Sequence, residues 1–176
     1  MKEFVYANLS HVLCILILVA RLGDVLSTYI ATPRLHLENN LLIRKLGWRF
    51  AWASLLICLL PYYHTGMGIV VLVPSLMVAA SNSSKVWSLR ATGEVEAAET
   101  ILRLAKRSRL SHTLLGILVT SFFIGLVGVL LCYLCPNPRS DWGFWFGVGI
   151  LTYAVAILIH GSLYYCNLFK KAKIPE

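Results

Sequence analysis

Long runs of apolar residues, each ended by a short polar stretch, recur five times along the chain, at 4–30, 49–63, 66–87, 110–134 and 142–168. Within a run the apolar positions are continuous rather than alternating. A run of roughly 20 such residues matches the hydrocarbon thickness of a bilayer at helical rise. Lipid offers the backbone no hydrogen-bond partner, so spans are helices or closed barrels, and continuity selects helices. The pattern predicts one all-α integral membrane domain over 1–176, a bundle of five transmembrane helices.

Departures from the pattern add detail. The second run is short. A helical spacing that starts at Glu38-Asn39-Asn40 and continues through Leu41, Leu42, Lys45 and Leu46 predicts an interfacial helix leading into it, bent at Gly47. Pro74 should kink the third span and free a carbonyl near Val70. Thr92 reads as a helix N-cap, with Glu94, Glu96 and Glu99 near the helix start. Val95, Ala98, Leu102 and Ala105 then repeat at 3–4 spacing against Arg103, Lys106 and Arg107, an amphipathic cytoplasmic helix before the fourth span. Gly116, Gly125, Gly128, Gly143, Gly147 and Gly149 are spaced for close packing of spans four and five.

Charge orients the bundle. Arg34, Arg44, Lys45 and Arg49 lie between spans one and two. Lys85, Arg90, Arg103, Lys106, Arg107 and Arg109 lie around the connection from three to four, and Lys170, Lys171 and Lys173 follow span five. The alternate connections carry little, so the positive-inside rule puts the N-terminus outside and the C-terminus in the cytoplasm. Lys2-Glu3 is not a basic leader region, and the first run reads as an uncleaved span. The net charge of +8 in a chain 58% hydrophobic and 14% charged sits at span ends. Membrane lipids, with anionic headgroups at the basic loops, are therefore the expected partners rather than nucleic acid. A homo-oligomer or a membrane partner is open. Size and charge pattern fit a prokaryotic cytoplasmic (inner) membrane best.

Ionisable groups inside a bilayer are costly and therefore candidates for function. Asp24 lies about six residues from the end of span one, roughly 9 Å deep. Arg21 and Thr28 share its helix face. His160 in span five, and Ser81, Asn82 and Ser83 in span three, fall near the same depth. Three helices thus bring polar groups to one level of the inner leaflet. Asp24, Glu38 and His160 are the candidate catalytic residues, with Arg21, Thr28, Asn40 and Asn82 as binding residues. His36 and His112 lie on the same side and, with Asp24, Glu38 and His160, make a divalent metal conceivable. No H-E-x-x-H or comparable pair supports it. Plainer readings stand beside these: a self-neutralising Arg21–Asp24 pair, a buried hydrogen-bonding His160, and Glu38 as a first-turn acid. Ser27 or Ser81 with His160 and Asp24 makes a weak nucleophilic constellation, since membrane serines usually bond neighbouring helices. Cys132-x-x-Cys135 reads as two apolar thiols rather than a redox pair, and Cys14, Cys58 and Cys166 as core.

Asp24-Val25-Leu26-Ser27-Thr28 followed by Glu38-Asn39-Asn40 resembles a family of small prokaryotic multi-pass proteins, uncharacterised, with a D-x-x-[ST]-T … E-x-N-P pattern. The likeness covers the first third of the chain, and Leu41 stands where the family has Pro. It implies that Asp24, Thr28, Glu38 and Asn40 act together, and implies no activity. Three functions compete: an intramembrane enzyme acting on a lipid or lipid-linked substrate, a small transporter or ion-coupled carrier using the same residues, and an accessory or scaffold subunit. The enzyme ranks first because the polar groups are one-sided. A transport path should continue into the outer leaflet, where only Asn8, Ser10, His11 and Thr120 are polar.

Overall fold

The computed structural model describes residues 8–35, 41–137 and 142–173. Among them there is no strand. The helices are α1 (Leu9–Ala31), α2 (Leu41–Leu46), α3 (Trp48–Ala53), α4 (Leu60–Tyr63), α5 (Thr65–Thr92), α6 (Glu94–Arg107), α7 (Leu110–Leu134), α8 (Trp142–Ala156) and α9 (Ser162–Ala172). A 3-10 segment, Ser54–Leu59, joins α3 to α4, and a π-helical turn, Ile157–Gly161, joins α8 to α9. Among the described residues, four helical stretches are long and apolar enough to cross a bilayer: Leu9–Ala31, Thr65–Thr92, Leu110–Leu134 and Trp142–Ala172.

The second apolar run does not form a fifth such helix. Its break has a local cause. Pro61 has no N–H for the Ile57 carbonyl, and its ring crowds that carbonyl. The chain tightens instead, with Leu60 N–H bonding Ile57 O in the i−3 pattern. Gly47, at φ 71°, makes the bend between α2 and α3 that its position predicts.

α1 and α5 run parallel and form the most extensive pair. Leu13, Ile17 and Ala20 pack with Ile69, Leu72, Val73 and Cys58 in one apolar core. Further along, Gly23 approaches Ala79, and Thr28 bonds Asn82. α7 and α8 form an antiparallel hairpin. Two glycines bring its backbones close together: a Cβ on Gly128 would lie 2.8 Å from Gly147 O, and one on Gly147 would lie 2.7 Å from Gly128 O. Ser121 Oγ donates to Ala154 O at 2.7 Å across the same hairpin. Gly149 serves a different contact from the expected one. Its missing side chain admits Val73 of α5, 2.9 Å from where a Cβ would stand, beside Pro74. Gly116 faces nothing within 4 Å and packs no helix.

Thr92 is not an N-cap. α5 continues through it, and its hydroxyl donates back to Ser88 O at 3.1 Å. Gly93, at φ 79°, supplies the break before α6, a conformation open to glycine but not to threonine. Leu115, Leu118, Phe122, Phe123, Leu126 and Leu130 of α7 stay exposed. A contiguous apolar face of that kind suits lipid, not water. The four long apolar helices are consistent with a membrane protein.

Candidate functional site

The site begins with the two carboxylate oxygens of Asp24, which is only 7% exposed on α1. Arg21, one turn earlier, donates from Nη1 to Oδ2 at 3.0 Å. Its Nη2 donates to Ser54 Oγ at 2.7 Å, and Ser54 in turn donates to Ala51 O at 2.6 Å. One guanidinium therefore neutralises the acid and ties α1 to the broken segment after α3. On the other side, Asn82 Nδ2 of α5 donates to Asp24 Oδ1 at 2.8 Å and to Thr28 Oγ1 at 3.0 Å. The i, i+4 spacing of Asp24 and Thr28 lets one amide reach both.

These groups line a cavity of about 580 Å³, together with Ser81, Lys85, Thr120, Tyr153, His160 and Tyr165. Val78, Ile117, Ile124 and Ile157 supply much of the apolar wall. His160 lies on the π-helical turn. Such turns are rare and recur at functional sites, because the extra residue re-aims a side chain. Its Nδ1, like Nε of Arg21, is buried with no hydrogen-bond partner among the described residues. A buried polar group left in that state costs about 1–3 kcal/mol. A small rotation of the His160 ring toward the cavity, where a ligand oxygen could accept, would relieve that cost; Arg21 is held by its two other nitrogens.

The structure thus brings together Arg21, Asp24, Thr28, Asn82 and His160. His36, Glu38 and Asn40 lie outside the described residues. His112 is exposed on the first turn of α7 and does not line the cavity. Among the described residues no group of three or more His, Cys, Asp or Glu side chains comes together. Both oxygens of Asp24 are already engaged, one by a cation, so the described residues do not fit a divalent metal. Thr120, expected toward the opposite end, lines this cavity instead, because it lies closer to the start of α7 than to its end.

Lys85, Tyr153 and Tyr165 are not among the site residues expected from sequence. Lys85 follows Asn82 by three positions and Tyr153 precedes His160 by seven, so helical spacing already put each on its neighbour's face. Cys132 and Cys135 are free thiols, and Cys132 donates weakly to Phe144 O at 3.6 Å. No protein-family model matches the chain, and no curated protein or solved structure is significantly similar to it.

Proposed function

We propose that the chain is a small multi-pass protein of a prokaryotic cytoplasmic membrane, and that it acts as an intramembrane enzyme on a lipid or lipid-linked substrate held in the central cavity. The observation that carries this reading is the cavity's composition. Fixed polar groups from α1 and α5 and a histidine on the π turn share one chamber with an apolar wall. A lipid has the matching halves: a polar head for Asp24, Asn82, Lys85 and His160, and hydrocarbon for the isoleucines. Asp24 is the fixed charge that orients Arg21 and Asn82. His160 is the proton-transfer group, because its ring is not tied through Nδ1 to a neighbour.

In this reading Trp48–Tyr63 is a fifth span. Six residues in 3-10 form lengthen it to roughly 27 Å from the roughly 24 Å of a regular helix. The N-terminus is outside, the cavity belongs to the inner leaflet, and α6 is a helix at the cytoplasmic surface. The resemblance of Asp24–Thr28 and Glu38–Asn40 to a prokaryotic multi-pass family fits a membrane setting of the same kind. The carrier reading is weaker with Thr120 on the cavity wall, since the outer polar set shrinks and His11 is bonded to Tyr62 at 2.7 Å. The test is photolabelling in reconstituted membranes with a lipid analogue carrying a diazirine near its headgroup. The adducts should map to 78–85 and 153–165. Labelling confined to the exposed face of α7 would leave the cavity without a lipid.

A further inference from the structure

A second cavity, of about 900 Å³, lies between α6 and α9 at the end of the bundle where α1 also ends. It does not depend on the chemistry proposed for the central chamber, only on the membrane setting. Arg34, Lys170 and Lys171 line it and are exposed at its rim, while Leu102 and Leu168 line it with apolar surface. Glu99 is the acid on the lining, and its carboxylate accepts from Arg103 at 3.5 Å, which leaves the lining net positive.

The rim is held in place rather than trailing. Arg34 N–H donates to Glu94 Oε2 of α6 at 3.0 Å, and Trp48 Nε1 donates to Pro33 O at 3.0 Å. Leu35 N–H closes a turn onto Thr32 O at 2.9 Å, with Leu35 at φ 57°. A leucine in the left-handed region is uncommon and persists where its surroundings fix it. The same short turn separates the two chambers: Ala31 and Thr32 face the central one, Arg34 and Leu35 the second.

We propose that this cavity is a binding site for the phosphate-bearing headgroup of an anionic membrane lipid. The Arg34 guanidinium and the Lys170 and Lys171 ammonium groups belong to one cavity lining, where phosphate oxygens would accept from them. The volume greatly exceeds what a phosphate ion needs, and the leucine walls would be left wet by a soluble ion. A headgroup with the start of its acyl chains covers both. Basic pockets between helices near a membrane surface bind anionic lipids for the same reason.

The test is native mass spectrometry of the full chain from nanodiscs of phosphatidylglycerol or of phosphatidylcholine. The wild type should retain phosphatidylglycerol over phosphatidylcholine by about tenfold or more, given three cations near the surface. Arg34→Gln/Lys170→Gln/Lys171→Gln should lose that preference. Arg107→Gln/Arg109→Gln/Lys173→Gln removes the same charge from residues that do not line the cavity and should keep it. Leu102→Trp fills the chamber without changing charge and should lose retention, which keeps the test decisive if the triple variant fails to fold. Equal retention of the two lipids, retention unchanged in both cavity variants, or equal loss in the control would overturn the site. Displacement of phosphatidylglycerol by excess inorganic phosphate would assign the site to a soluble phosphate instead. Loss here would leave the central cavity's photolabelling unaffected, so the two proposals fail separately.

Discussion

Asn82 and Asp24 are joined across the parallel pair α1 and α5 by a 2.8 Å hydrogen bond from the amide to the carboxylate. The bond links sequence positions far apart and fixes the polar end of the central cavity. Asn82→Leu should destabilise the protein by about 1–3 kcal/mol, since one carboxylate oxygen and the Thr28 hydroxyl lose their donor together. Thermal unfolding in detergent measures it. An unchanged midpoint would mean that water replaces the amide freely and that the site is not closed as described.

Arg21 and Asp24 should behave as a unit. Removing Arg21 alone, as Arg21→Met, leaves a carboxylate without its counter-charge and should cost about 3–5 kcal/mol. Arg21→Met with Asp24→Leu should recover most of that stability while abolishing ligand binding. Stability and binding lost in parallel by the double variant would make the pair a structural element only.

The glycine contact between α7 and α8 makes a local prediction. Gly128→Ala or Gly147→Ala forces a methyl against the facing carbonyl and should cost about 1–3 kcal/mol of stability. Gly116→Ala, in open space, should be neutral or slightly stabilising, because alanine is the better helix former. The comparison is made by thermal unfolding of the three variants under one condition.

Orientation is checked in a background with the native cysteines replaced. A Cys in place of Asn137 should react with an impermeant thiol reagent applied from outside, and one in place of Ser108 should not. The opposite pattern would invert the bundle and move the central cavity to the outer leaflet.

What could be read from sequence follows from how each feature is encoded. The fourth run, 110–134, coincides with α7 at both ends because a helix facing lipid is specified by continuous apolarity alone. Asp24, Asn82 and His160 were legible as a set because a polar group in such a run is anomalous, and helical rise then gives its depth. The broken segment after α3 was not anticipated, although Pro61 signals it; hydropathy registers length and is silent on hydrogen-bond pattern. Thr92 fits the N-cap preference, but its neighbour Gly93 alone can take φ 79°, and backbone conformation overrode side-chain preference. His112 was placed with the site by its position along the chain. Which side of α7 faces the bundle is decided by packing with α8, and no periodicity marked it in a helix apolar all round.

The central claim is that His160 acts on a lipid held by the Asp24–Asn82 end of the cavity. Its most direct test incubates the purified, reconstituted wild type and His160→Ala with a bacterial membrane lipid extract and compares the lipid masses before and after. The account predicts a new lipid species with the wild type, its rate reduced about 10²–10⁴-fold by His160→Ala as for loss of a positioned acid–base group, while lipid photolabelling of the cavity persists. Identical lipid profiles for wild type, His160→Ala and a protein-free control would contradict it.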